Sequence, residues 1–225
     1  MRRGLWAKLG TLSLGLTVLA GCGSAHAAGA SSSSSSAPPL PKPSGAAVSG
    51  SFTIGPPSVA TYTAHETFVA IHLPHAPVGT TTGVSGTLAL ANGRFASSTV
   101  TVNLTGLHTH QPLRDQHVQD ALDTVKYPDA VFKVTGQSAN SETVRADGIA
   151  TVELQGQMTV HGETHTAIWD LQVGMSSSGA LDVKGTREVQ MTSFGVKPPS
   201  IAGFVNVDDA ILLGVNLVAQ PAAAG

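Results

Sequence analysis

Three stretches of the chain alternate apolar and polar residues with a period of two. Val100, Val102 and Leu104 interleave with Thr99, Thr101 and Asn103. Ala167, Trp169, Leu171 and Val173 interleave with Thr166, Ile168, Asp170 and Gln172, and Ile211, Leu213, Val215 and Leu217 form a third such face. This is the pattern of a strand with one face buried and the other in water. Residues 59–62, 67–73, 83–90, 130–138, 143–154, 157–160 and 180–191 predict further strands from the same residue types. The breaks carry turn chemistry at Asn92-Gly93, at residues 138–141 and at His161-Gly162, where glycine accepts positive φ. Eight or more antiparallel strands joined by short turns predict a closed barrel or a sandwich over residues 51–219, with 220–225 as a tail.

One segment breaks the period. Within residues 111–123, Val118, Ala121 and Leu122 recur at helical spacing and Pro112 suits a first turn. A short helix is therefore expected between two strands, packed by that stripe across the barrel wall or one mouth. Tyr127-Pro128 returns the chain to extended geometry. Asp208-Asp209 predicts a turn before the last strand.

Upstream of residue 51 the character changes. A basic head, Met1-Arg2-Arg3 with Lys8, precedes the mostly apolar run 9–20, the order of a secretory signal. At twelve residues the run falls short of the roughly 20 that span a bilayer as a helix. Leu19-Ala20-Gly21-Cys22 resembles the bacterial lipobox, in which cleavage before the cysteine follows attachment of a diacylglycerol to its sulfur. The competing reading is ordinary cleavage after Ala25-His26-Ala27, which leaves Cys22 incidental. Residues 22–50, with Ser31 to Ser36 followed by a proline-rich run, bury too little apolar surface to order themselves and read as a tether. Residues 1–21 as signal peptide and Cys22 as lipid attachment site give an exported protein anchored on the extracytoplasmic side of a membrane.

Composition narrows the function. Twelve Lys and Arg stand against fourteen Asp and Glu with no basic cluster, which excludes a nucleic-acid surface. Without residues 1–21 the balance is 9 − 14 = −5. A single Cys forms neither an intramolecular disulfide nor a Cys-based zinc site. His108 and His110 lie two apart with His117 beyond them, a spacing that suits either a metal site or surface histidines. No H-E-x-x-H, G-x-S-x-G or phosphate loop accompanies them, so no catalytic residue, metal or cofactor is assigned. The physical asset is the apolar interior. Phe68, Phe132, Trp169, Phe194 and Phe204, with Leu88, Val100, Val102, Val134, Leu171 and Leu213, either fill it or line a cavity. Small residues in the strands, such as Ala89, Gly136, Ala150 and Gly214, favour a cavity, and they also permit tight bends.

Five segments, in order, carry a resemblance. They are Gly83-Val84-Ser85-Gly86-Thr87-Leu88, Leu113-Arg114-Asp115-Gln116-His117-Val118, Lys126-Tyr127-Pro128-Asp129-Ala130-Val131-Phe132, Gly156-Gln157-Met158-Thr159-Val160-His161-Gly162 and Thr192-Ser193-Phe194-Gly195. Together they resemble the YceI-like, polyisoprenoid-binding family. The resemblance implies an all-β fold: an extended, eight-stranded antiparallel, lipocalin-like barrel with a short helix. It also implies a long-chain isoprenoid lipid, a polyisoprenoid or quinone-like molecule, threaded along the lumen. Arg114 and Asp115 are then expected to form a local ion pair or cap that fixes the mouth. The alternatives are a structural or interaction protein of the cell envelope with a filled barrel, and a metal-dependent enzyme built on His108, His110 and His117. The oligomeric state stays open.

Overall fold

The period-two segments close on themselves in the computed structural model, which describes residues 44–201 and 204–223. Cys22, the apolar run and the expected tether as far as residue 43 lie outside the described residues. The elements are β1 (Gly50–Phe68), β2 (Leu73–His75), β3 (Val78–Thr81), β4 (Val84–Ala91), β5 (Arg94–Phe95), β6 (Thr99–Asn103), α1 (Pro112–Leu122), β7 (Asp129–Gln137), β8 (Ile149–Val160), β9 (Glu163–Met175), β10 (Leu181–Gln190), a 3-10 helix Met191–Phe194, β11 (Ser200–Ile201) and β12 (Val205–Pro221). Antiparallel pairing runs β12-β10-β9-β8-β7-β6-β4-β1, and β1 pairs again with β12. Eight strands therefore form a closed antiparallel barrel with one short α-helix. Closure removes the free edges that an open sheet would expose.

The turns follow local chemistry. Asn92-Gly93 and His161-Gly162 both have positive φ at both residues, which matches the twist of the hairpins they close between β4 and β5 and between β8 and β9. Outward positions are polar: Thr151, Glu153, Gln155 and Gln157 on β8, and Asp170 and Gln172 on β9, are exposed. That is the reverse of a membrane-spanning barrel, whose outer band is apolar.

Four expectations need correction. The sequence predicts separate strands at 59–62 and 67–73, but one strand of 19 residues runs through Gly55-Pro56-Pro57. The register against β12 shifts between Gly55 and Val59, and the Val218 amide donates to Ser58 Oγ at 2.9 Å, so the missing proline N–H groups cost the ladder little. Residues 143–148 are not strand; β8 starts at Ile149 and continues unbroken through Gly156. That segment instead receives residues 44–48. Val48 N donates to Val144 O and Ala146 N to Ala46 O, both at 3.0 Å, and the Ser44 and Gly45 amides bond the Asp147 carboxylate. Residues 44–50, the last seven of the expected tether, are accordingly part of the folded body, and β12 runs to Pro221. Asp208-Asp209 is no turn but part of β12. Asp209 accepts from the Thr192 amide and hydroxyl at 2.8 and 2.5 Å, which hold its carboxyl below the usual carboxylate range and pin the 3-10 helix to the barrel.

Packing differs between the two ends. Around the start of β1, Phe52, Ile54, Leu90, Val144, Val152, Val173, Leu181 and Ala219 are buried and fill the barrel as one cluster. Towards the other end the same inward rows become only half-buried, as at Ile211, Leu213 and Val215 of β12 and Val189 of β10. Their inner faces open on a cavity.

Candidate functional site

The cavity occupies the upper half of the lumen. Leu88, Val100, Val102, Phe132, Trp169, Leu171, Phe194 and Leu213 line it, eight of the eleven positions that the sequence puts forward. The other three stand elsewhere. Val134 packs against the core without reaching the cavity. Phe68 lies beyond the cavity end, with its ring 6.1 Å from that of His75. Phe204 is 66% exposed on the outside. Residue type alone suggests an inward place for both phenylalanines; their position past the end of the cavity decides otherwise.

One helix covers this end. Arg114, His117, Val118, Ala121 and Leu122 of α1 all border the cavity, and their spacing of three and four residues is one helical face. No residue of α1 is fully buried. A helix that lies over open space rather than on a filled core is expected to show just that. His117 therefore faces the cavity, where the sequence places it on the surface. His108 and His110 are exposed in the preceding loop, their rings in edge contact at 5.0 Å. Among the described residues no three His, Cys, Asp or Glu side chains are grouped to hold a metal ion.

Several of the recognisable segments converge beside the cavity. The Tyr127 ring packs on His161 at 4.8 Å and against Gly162, where a Cβ would come within 2.8 Å of the ring. His161 Nδ1 lies 3.3 Å from the Phe194 carbonyl oxygen. Gly156 leaves room for Phe132, whose ring lies against its Cα and meets Trp169 at 62° and 6.4 Å. These glycines and aromatics shape the wall rather than supply chemistry.

The polar groups gather at the helix end. Apart from Thr61, Tyr62, Glu66, Arg114 and His117, the bordering side chains are apolar. Glu66, 8% exposed, takes two bonds from Arg114: Nε to Oε1 at 3.2 Å and a terminal nitrogen to Oε2 at 3.3 Å. His75 Nδ1 is also 3.3 Å from Oε2. Arg114 thus pairs with β1 rather than with its neighbour Asp115. Asp115 instead accepts from the Thr109 amide and hydroxyl, at 2.7 and 2.6 Å, and so ties the loop to the first helical turn. Sequence reasoning misses Glu66 and Tyr62. Their only signal is that Tyr62, Ala64 and Glu66 alternate inward, and that Glu66 is the last charge before Arg94.

Tyr62 Oη is buried and bonds no protein group among the described residues. Burial, and next the nearby Asp115 carboxylate, push its phenol up to about 12. The phenol is neutral in both folded and unfolded chains below about pH 10, and its contribution to stability is complete there. Above that the unfolded chain loses this proton first, so stability falls as the pH rises towards 12. Tyr62→Phe is expected to flatten this part of the curve, measured as urea midpoints at several pH values from 9 to 11; an unaltered slope would place the phenol in water.

A closed eight-stranded antiparallel barrel with one packed end, an apolar lumen and a helix over a polar mouth defines a lipocalin-like binding barrel. The YceI-like domain family matches residues 44–219, and the chain belongs to that family. Comparison with curated proteins gives no significant match. Among solved structures, the chain is similar to a polyisoprenoid-binding domain from Saccharophagus degradans implicated in plant cell wall breakdown. That match has a TM-score of 0.60 at 13% identity and covers 78% of this chain and 100% of that one. It is also similar to Burkholderia cenocepacia BcnA, with a TM-score of 0.56 at 16% identity, covering 72% and 96% respectively. The Campylobacter jejuni YceI protein follows with a TM-score of 0.50 at 18% identity, covering 62% and 81%. These likenesses concern the fold.

Proposed function

We propose that the lumen binds one long-chain isoprenoid, or a similarly apolar quinone-like lipid, without chemical conversion, and that the protein is exported and anchored to a membrane through Cys22. The observation that carries the binding is the lumen itself: a nearly all-apolar wall, open at the mouth, with its few polar groups at one end. Such a space fits an amphiphile with its chain in the barrel and its head at Tyr62, Glu66 and Arg114. Family membership and the polyisoprenoid-binding description of the Saccharophagus relative support the same ligand class. The envelope-protein alternative requires a filled barrel; only the end around Val152 and Leu181 is filled.

Size sets the chain length. The cavity offers about 230 Å3 to the centres of water-sized spheres. About 10–15 Å3 of this measure is the least that admits one water, so the lumen takes on the order of 15 chain carbons rather than a few atoms. Burying ~15 carbons at ~0.8 kcal/mol each gives on the order of 12 kcal/mol of gross transfer from water, before the cost of fixing a flexible chain. Relative to a bilayer the gain is far smaller, which suits reversible exchange.

Trp169 reports occupancy. Titration with prenols of increasing length is expected to change its emission, with affinity climbing to about C15–C20 and then levelling as the excess chain projects from the mouth. Trp169→Ala is expected to weaken binding by roughly tenfold through lost contact area. Unchanged emission together with unchanged affinity in the folded variant would contradict a chain in this part of the lumen. For the anchor, Cys22→Ser is expected to abolish incorporation of a fatty-acid analogue and release the protein from the membrane, since a hydroxyl cannot form the thioether. An unlabelled parent whose mature chain begins at Ala28 would overturn that part.

A further inference from the structure

The barrel carries exposed apolar side chains just past the cavity end. β1 runs on beyond Glu66 to a turn at residues 69–72, where Ile71 is 66% exposed and Leu73, opposite Phe68, is 53% exposed. Phe204 stands beside this tip, its carbonyl accepting from the Val69 amide at 2.9 Å. Glu66 and Val207, which border the cavity, lie five and three residues from Ile71 and Phe204 respectively. The apolar tips thus continue the apolar lumen outward.

We propose that this end of the barrel docks on a lipid bilayer, with Ile71, Leu73 and Phe204 inserted below the headgroups, so that a chain passes between bilayer and lumen without crossing water. The inference rests on the binding reading above. Three observations select a bilayer as the occupant. The tips are joined to the cavity that would take a membrane lipid. Neither tip carries a carboxylate, ammonium or guanidinium group: there is no Asp, Glu, Lys or Arg from Thr67 to Gly93 or from Pro198 to Val207, and His72 is the one titratable side chain of the first tip. A protein surface would be met with charges that set register, whereas hydrocarbon demands their absence. The chain is also long enough. Ser44 lies beside Asp147 at the packed end, and the 44 − 22 = 22 steps back to Cys22 reach at most about 75 Å. That exceeds the ~60 Å of a 19-residue strand. A lipid on Cys22 and the tips at the opposite end can engage one bilayer, and the two together satisfy the two-signal requirement for stable attachment.

The test uses the exported chain carrying Cys22→Ser, which removes the acyl anchor and the only native thiol. Ile71→Cys labelled with an environment-sensitive fluorophore is expected to shift to the blue on addition of phosphatidylcholine vesicles and to be quenched by lipids bearing a quencher in the acyl region. The same label at Ser177→Cys, in the turn between β9 and β10 at the packed end, is expected not to respond. In the unlabelled chain, Leu73→Asp is expected to lower vesicle partitioning by about tenfold or more, with the Trp169 response to a soluble short prenol intact. That prenol response separates the two ideas: if it fails, lumen binding fails; if it persists while Ile71 ignores vesicles, docking alone is overturned. Equal responses at Ile71 and Ser177 would mean adsorption without orientation, and a label protected by protein concentration without vesicles would mean a second copy of the chain. Either outcome overturns the proposal.

Discussion

Leu171→Glu is expected to leave the barrel marginal or unfolded at pH 7 and to regain much of its stability as the pH falls towards 4. Leu171 is buried on the lumen face of β9, with Val152 of β8 and Gly185 of β10 beside it. The cations and hydroxyls that could receive a carboxylate sit at the mouth, at Arg114 and Tyr62. A carboxyl in such a place keeps its proton to about pH 8–9 instead of 4.3, a shift of roughly four units. At pH 7 the folded chain holds this proton and the unfolded chain does not, which costs about 1.36 kcal/mol for each unit above 4.3, or about 3.5–4 kcal/mol, with ~2 kcal/mol more for the lost leucine contacts. The sum rivals the ~5–15 kcal/mol that holds a typical domain together. Because the folded pKa lies above the unfolded one, the penalty is present at neutral pH and disappears below about pH 4. Urea midpoints, compared with the parent protein at each pH, measure it, and Leu171→Met is the control, expected to cost under ~1.5 kcal/mol. A glutamate variant as stable as the methionine one would mean that water already fills the lumen at this level.

Arg114→Met is expected to cost on the order of 3–5 kcal/mol, because it leaves Glu66 charged and buried with His75 as its remaining close partner. The effect belongs to the stranded charge rather than to the worth of the pair. The double variant Arg114→Met with Glu66→Leu is therefore expected to recover most of the loss. Recovery in stability need not bring back function: the polar end of the site would be gone, so discrimination between a prenol and its parent hydrocarbon is expected to narrow. If the two single variants each cost under ~1 kcal/mol and add in the double, the pair is solvated and does not shape the mouth.

Most of the barrel was legible because its signals are local. Alternation at Ala167 to Val173 follows from the pleat, and His161-Gly162 announces its hairpin through backbone conformation alone. The helix was readable at its start, Pro112 in the first turn, whereas its end, which the sequence marks by Tyr127-Pro128, falls earlier, at Asp123 in the left-handed conformation just past Leu122. The failures share a cause, which is distance along the chain. β1 runs through two prolines because β12, some 160 residues away, supplies an amide for Ser58. Arg114 finds Glu66 48 residues away, whereas proximity in sequence suggests Asp115. Residues 44–50 have the composition of a tether and yet fold, because Val144 and Asp147 offer them a ladder and a cap.

The candidate site was legible in its walls and illegible in its mouth. Apolar residues at alternate positions, such as Val100, Val102 and Leu213, face inward wherever the register puts them, so type and period suffice. Phe204 shows the limit: its position beyond the barrel rim, on a tip next to Val69, depends on where β1 and β12 stop pairing, and no local pattern encodes that. His117 likewise turns inward because it shares the helical face of Val118, Ala121 and Leu122, the stripe that the sequence packs across the wall or one mouth; its residue type alone suggests the surface.

Native mass spectrometry of the full protein, purified from its own host with no lipid added, puts the binding account at risk in one step. The account expects a 1:1 adduct of an apolar lipid that leaves on collisional activation, has the mass of a prenyl-chain molecule with a small polar head, and is depleted in Trp169→Ala. A population of intact, folded protein at its own mass, carrying no such adduct and unchanged on incubation with C15 to C20 prenols, would contradict it.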